Sequence, residues 1–317
     1  MKTFLKPWAV VATALLASFA LADTYALSIG INDYPDLLDE EGNLLRDENG
    51  EVISDDLFGC VNDAKAYQKL LMEKYGVPKE NIRMLLDKDA NKEKFMEAIR
   101  WLLDAAQPGD TVFFSYSGHG TQYAVEDQPE EEDGLEEYLV LYDVDVSGNF
   151  FAELNKMLVD GGRHATFVMD SCFSGGIDRA VGSKDVLGKR LRSVQGRWID
   201  SELLAKSRSR GIFTKAEETA LLSSVRSPRS FAKGTYIFLM AGQENQTTDD
   251  VQFVDDNPPA QGIFSYILIT LLMDDPSMNL ADAIAMVKEV LKEADFDQVP
   301  KLEASDSARP AKPLIGG

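Results

Sequence analysis

Short runs of apolar residues with no polar alternation recur along this chain, bounded by turn residues, with segments of helical apolar spacing between them. A strand of that kind must be buried on both faces, so the sheet it joins has to be covered by helices on each side. Tyr25–Ile31, Ile82–Leu86, Thr111–Tyr116, Tyr138–Tyr142, Ala165–Met169 and Tyr236–Ala241 have the strand character, while Asn62–Tyr75, Lys92–Ala106, Phe264–Met273 and Leu280–Glu293 have the helical spacing. The alternation predicts an α/β fold, a mostly parallel sheet sandwiched between helices. Residues 36–56 interrupt it: they are acidic, carry turn signals at Gly42-Asn43 and Asn49-Gly50, and predict a hairpin excursion.

Charge narrows the partners. The 317 residues carry a formal net charge of −21, which removes any general electrostatic reason to bind nucleic acid or an anionic membrane face. Lys2 and Lys6, the apolar run Ala9–Ala20 and the small residues of Ala20-Leu21-Ala22 predict a signal peptide over residues 1–22, an uncleaved N-terminal anchor being the alternative. The remainder is then exported, to a periplasm or outside the cell, with no membrane attachment after removal. Residues 184–233 run against the general balance, with 12 Lys and Arg against 5 Asp and Glu. A solvated loop neutralising an acidic body would account for this basic linker; so would an exposed connector that is cut, with Lys189-Arg190, Arg192, Arg208 and Arg210 as its basic positions.

Chemistry must come from a short inventory: Cys60, Cys172, His119 and His164 are the cysteines and histidines. The strand Thr111–Tyr116 runs into Ser117-Gly118-His119-Gly120, and the strand Ala165–Met169 into Asp170-Ser171-Cys172-Phe173-Ser174-Gly175-Gly176. Each places a reactive side chain just past the carboxyl end of a buried strand, where open α/β sheets build their sites. A thiol with a free pKa of about 8.5 becomes a competent nucleophile when an imidazole takes its proton and later returns it to a leaving amine. Separately, each residue has a plainer reading, a small buried hydrophobe or a hydrogen-bonded core histidine. Zinc lacks support because no ligand pair has the usual close spacing. A serine hydrolase lacks its Gly-x-Ser-x-Gly elbow. His164 is read as a loop residue preceding its strand.

The blocks Tyr116–Gly120 and Asp170–Gly176, in this order and interval, resemble the caspase–hemoglobinase clan of cysteine peptidases, and within it the metacaspases of bacterial and type I kind. Supporting blocks are Leu27–Asn32, Gly59–Ala64, Ala106–Asp110, Gly262–Tyr266 and Gln298–Leu302, so the resemblance spans nearly all of residues 24–303. It implies a caspase-like fold with a large-subunit-like region at 23–182, the basic linker at 183–233 and a small-subunit-like region at 234–317. It implies His119 as general base, Cys172 as nucleophile, and the N–H groups of Gly118 and Cys172 as the oxyanion hole. It assigns Cys60, Asp63, Ser117 and Asp170 to the pocket for the residue before the scissile bond. Two carboxylates there select Arg or Lys and reject Asp. Protein or peptide substrates with basic residues are thus the expected partners, the chain is expected to act as a monomer, and self-processing is expected within 189–210. A caspase-fold scaffold with a vestigial dyad is the competing expectation, weakened by both dyad positions being filled; a clan relative of other specificity is another.

The same resemblance implies calcium in many members, held by ligands that include an Asp-Asp pair after the central strand. Here the matching stretch is Gly148–Glu153, which lacks the pair, and Asp178 is one residue away from the downstream ligand position. Asp143–Gly148 imitates the start of an EF-hand loop, yet its twelfth position is Leu154 instead of a bidentate Glu. The acidic run Glu126–Glu137 reads as a solvated loop. No cofactor is required by the sequence, and calcium is left without support.

Overall fold

The computed structural model describes residues 22–39, 41–47, 49–124, 134–171, 185–196, 211–225, 232–243, 246–255 and 257–315. Its centre is a six-stranded sheet built from β1 (Thr24–Gly30), β2 (Ile82–Leu86), β3 (Thr111–Ser117), β7 (His164–Asp170), β11 (Tyr236–Met240) and β14 (Lys301–Ala304). The order is β14-β11-β7-β3-β1-β2, and every pairing is parallel except the edge strand β14 on β11. Mixed α/β architecture with a parallel-rich sheet is therefore what the apolar runs encode.

Six helices are present among the described residues: α1 (Cys60–Tyr75), α2 (Lys92–Ala105), α3 (Gly148–Asp160), α4 (Lys215–Ser223), α5 (Ile263–Asp274) and α6 (Leu280–Glu293). Successive strand residues face opposite sides, which divides the core in two. Leu27, Ile29, Val112, Phe114, Tyr116, Ala165 and Phe167 pack on the α2–α3–α4 side, where Phe95, Phe150 and Phe213 form an aromatic cluster. Ala26, Phe113, Val168, Ile237 and Leu239 pack on the α1–α5–α6 side. Local chemistry sets the helix ends. Asn91, Ser147, Thr214 and Asn279 each accept a hydrogen bond from a first-turn N–H, and α1 stops at Gly76 with φ 66°. No described helix is long and apolar enough to cross a membrane.

Two smaller sheets flank this core. One runs β10-β6-β5-β4, from β4 (Gly120–Ala124), β5 (Leu135–Val140), β6 (Val144–Ser147) and β10 (Gly211–Ile212). The other runs β13-β12-β9-β8, from β8 (Asp185–Val186), β9 (Lys189–Gly196), β12 (Asp249–Phe253) and β13 (Gln261–Gly262). The predicted hairpin excursion after β1 appears as antiparallel bridges Leu38–Leu44 and Arg46–Val52, closed at Gly42 and Gly50, both with positive φ.

Regular structure extends into the basic linker. Its first described part, β8–β9, pairs antiparallel with β12, whereas β10 and α4 pack against β6 and α2, with Phe213 in the aromatic cluster and Glu217 bonded to Lys92. Three local expectations change. His164 opens β7 in register with Thr111 instead of preceding the strand. The end of the acidic run is not solvated loop: Leu135–Val140 is strand, with Glu136 buried and bonded by Tyr138 and Asn149. The EF-hand imitation is β6 followed directly by α3, and its carboxylates do structural work, Asp143 accepting from the Lys92 N–H at the start of α2 and Asp145 from Tyr123.

Candidate active site

β3 and β7 run side by side, with Ser117 opposite Asp170 at their carboxyl ends. The chain leaves β3 through Gly118 and His119 and at once starts β4. Gly118 is demanded by its neighbours, since a Cβ there would come within 2.5 Å of the Tyr116 hydroxyl and 2.7 Å of the Tyr34 hydroxyl. Those two hydroxyls hold the next residue. Tyr34 Oη accepts the His119 N–H at 2.9 Å, and Tyr116 Oη lies 2.7 Å from the His119 carbonyl. The Tyr34 and His119 rings pack with centroids 4.9 Å apart.

The imidazole itself is oriented by backbone. His119 Nε2 lies 2.6 Å from the Asp55 carbonyl oxygen. A carbonyl can only accept, so Nε2 carries the proton of the neutral ring and Nδ1 is left with the lone pair, the tautomer that can take a proton from a thiol. His119 is buried. Cys172 lies outside the described residues, two positions beyond Asp170 in sequence, and so does Asp178. The Gly118 N–H faces the Asp170 carbonyl at 3.4 Å, longer than a good N–H···O bond.

Asp63, Ser117 and Asp170 come together with the start of α5. Ser117 Oγ donates to Asp63 Oδ2 at 2.5 Å, and both Asp63 oxygens accept the Gly262 N–H at 3.1 Å. Asp170 Oδ2 accepts from the Ser265 N–H at 3.1 Å and hydroxyl at 2.6 Å. Gly262 caps α5 and Ser265 lies in its first turn, so two buried carboxylates sit at the positive end of one helix, where the macrodipole favours negative charge. These donors are neutral N–H and hydroxyl groups, which orient the carboxylates without cancelling their charge. Cys60 is buried at the first position of α1, its Sγ 4.0 Å from Asp250 Oδ1.

Several contributors escape sequence reasoning. Asp55 acts through its carbonyl, which every residue type has. Asp250 reaches across from β12, its Oδ2 accepting the N–H groups of Phe58 at 2.9 Å and Gly59 at 2.7 Å. Asn32 Oδ1 accepts the Val61 N–H at 3.1 Å. Together they cap α1 from a distance, because its own N-cap residue is Gly59 and has no side chain to do so. That bare glycine cap is the one sequence signal that a remote acceptor was needed.

A calcium ion does not fit the described residues at the family position. In the stretch Gly148–Glu153, where the resemblance implies an acidic pair, Phe150 and Phe151 are buried in the aromatic cluster and offer no oxygen. A cavity of about 580 Å³ between β5, α3 and α4, lined by Glu136, Ser147 and Glu218 among others, includes none of the dyad or pocket residues.

Residues 25–178 match the family model described as the metacaspase, peptidase C14 domain. Metacaspase-1 of Schizosaccharomyces pombe is 27% identical over 275 residues, covering 79% of this chain and 64% of the relative. Metacaspase-1A of Aspergillus oryzae is 27% identical over 273 residues, covering 78% of this chain and 64% of the relative. The chain thus spans about 64% of the length of these relatives. Among solved structures, a crystal structure of a Geobacter sulfurreducens protein superposes with a TM-score of 0.57 at 18% identity, covering 92% of this chain and 97% of that one, a likeness of fold.

Proposed function

We propose that this chain, which resembles the metacaspases through the family match at residues 25–178 and its curated relatives, is a cysteine endopeptidase cleaving after Arg or Lys, with Cys172 as nucleophile and His119 as general base. The observation that supports the proposed specificity is that two buried carboxylates, Asp63 and Asp170, both accept hydrogen bonds from the start of α5, Asp63 also from Ser117. A guanidinium or ammonium entering there meets compensating charge, whereas an Asp side chain meets like charge.

In the proposed reaction the Cys172 thiol gives its proton to His119 Nδ1, and the thiolate adds to the scissile carbonyl carbon. The oxyanion so formed takes the N–H groups of Gly118 and Cys172; the long 3.4 Å contact from Gly118 to Asp170 is cheaply given up for it. Collapse breaks the C–N bond, and the imidazolium returns the proton to the leaving amine. Water, deprotonated by the same imidazole, then hydrolyses the thioester and releases the acid and the thiol.

Protein substrates with basic residues follow from this pocket, as does self-processing in the linker. Of the basic positions there, Lys189, Arg190 and Arg192 belong to a paired strand, which a peptidase cannot accept in extended form without unzipping it. Arg208 and Arg210 lie outside the described residues and are the favoured positions. Export belongs to the same reading, supported by the leader-like sequence of residues 1–22. The test is hydrolysis of Arg-, Lys- and Asp-containing peptides by wild type and Cys172→Ala: cleavage after basic residues in wild type alone is expected. Equal, absent activity in both would favour a scaffold.

A further inference from the structure

Asp250 and Gln195 are directly opposed on the paired strands β12 and β9, so both side chains stand on one face of that small sheet. Both reach the same loop, the one between the hairpin excursion and α1. Asp250 Oδ2 takes the Phe58 and Gly59 N–H groups, and Gln195 Nε2 donates to the Asp56 carbonyl at 2.8 Å. The neighbouring carbonyl, that of Asp55, is the one that holds His119 Nε2. Asp250 is wholly buried, and a Cβ on Gly59 would come within 2.5 Å of its Oδ1, so carboxylate and loop are fitted to each other.

We infer that Asp250 and Gln195 are positioning residues for His119, a cross-strand pair that grips residues 56–59 and thereby fixes the Asp55 carbonyl on the imidazole. This rests on the proposed peptidase reaction and adds a second part for the basic linker: its strand β9 completes the grip, so the linker helps to build the site whether or not it is cut. The chain of contacts runs from linker to β12, to loop, to histidine. Asp250 Oδ1 lies 4.0 Å from Cys60 Sγ at the edge of the expected pocket but contacts neither pocket carboxylate in these bonds, so its loss should fall more on the base than on substrate binding.

The test uses the full-length protein carrying Asp250→Ala, Asp250→Asn or Gln195→Ala. A misplacement on the order of 1 Å at a reacting group can cost ~10²-fold, so Asp250→Ala should lower kcat on an Arg peptide by roughly ten- to hundredfold while KM moves by less than about threefold. Asp250→Asn, whose amide oxygen can still accept both N–H groups, should recover most of kcat, and Gln195→Ala should lose kcat severalfold. The independent readout is NMR of histidine-labelled protein. The chain has only His119 and His164, and His164 sits at the far end of β7, bonded to Thr235, as an internal reference. In Asp250→Ala the ring ¹⁵N signals of His119 should move away from the Nε2–H tautomer while those of His164 stay. Folded Asp250→Ala with wild-type kcat, or with unmoved His119 signals, overturns the inference. Should Asp250→Ala not fold, Gln195→Ala decides by the same two readouts. A wild type no more active than Cys172→Ala would instead mark failure of the peptidase reading, which the His119 signals report separately.

Discussion

His119 Nε2 stands 2.6 Å from the carbonyl oxygen of Asp55, so a backbone carbonyl orients the imidazole. A carbonyl acceptor fixes the proton on Nε2, and that leaves Nδ1 for the proton transfer proposed above. Substituting the Asp55 side chain should accordingly matter less than displacing its loop. His119→Ala and Cys172→Ala should each abolish peptide hydrolysis with the fold intact by circular dichroism, whereas Cys60→Ala should keep at least part of it. Full activity in Cys172→Ala would end the nucleophile assignment.

The proposed specificity depends on Asp63 and Asp170. Peptides with Arg or Lys before the cut should be hydrolysed at least ~10³-fold better than those with Asp, the order expected when buried like charges meet without a partner. Asp63→Ala and Asp170→Ala should each erode that ratio in kcat/KM. Each also strips an acceptor from the start of α5, so thermal midpoints should accompany the kinetics. A measured preference for Asp would remove the pocket assignment.

Glu218 supplies a pH-dependent test far from the dyad. Burial raises its carboxyl above the ordinary glutamate value, although the Ser147 hydroxyl and Lys215 oppose the shift. A raised folded pKa means the folded state holds the proton more tightly. Its contribution is complete below the unfolded value and is lost as pH rises through the folded one. Glu218→Gln keeps an acceptor for Ser147 and removes that loss. Its thermal midpoint should exceed that of wild type at neutral pH by roughly 2 °C. The difference should vanish below about pH 4, where both side chains are neutral. A variant that melts lower at neutral pH would show that the Lys215 pairing outweighs burial.

What could be read from the chain was whatever local pattern encodes. The strand ends that carry Ser117, His119 and Asp170 were legible because uninterrupted apolar runs stop there. Asp63 was legible through its block near the start of α1. Asp250 was not: its contact with Gly59 spans 191 residues, and nothing in the sequence around β12 points towards α1. The antiparallel edge β14, Lys301–Ala304, alternates half-buried and exposed residues over four positions, too short and too polar to stand out. Glu136 was hidden for the opposite reason, a buried strand residue at the end of an acidic run.

Cutting the linker should sever the chain without separating the molecule. The part before residue 197 ends in β9, which pairs with β12 of the small-subunit-like region. The part after residue 210 begins with β10 and α4, which pack on β6 and α2 of the large-subunit-like region. A cut at Arg208 or Arg210 therefore leaves each fragment with a structured end woven into the other, in addition to the β7–β11 pairing of the central sheet. Purified wild type, incubated beside Cys172→Ala, should give two bands on a denaturing gel and one peak on native size exclusion at the size of the uncut chain. Mass spectrometry should find the new ends between 197 and 210, and none within β9. Cuts in both samples would point to a contaminating peptidase. Cuts inside β9, or fragments that separate under native conditions, would show that the linker strands do not hold the two regions together.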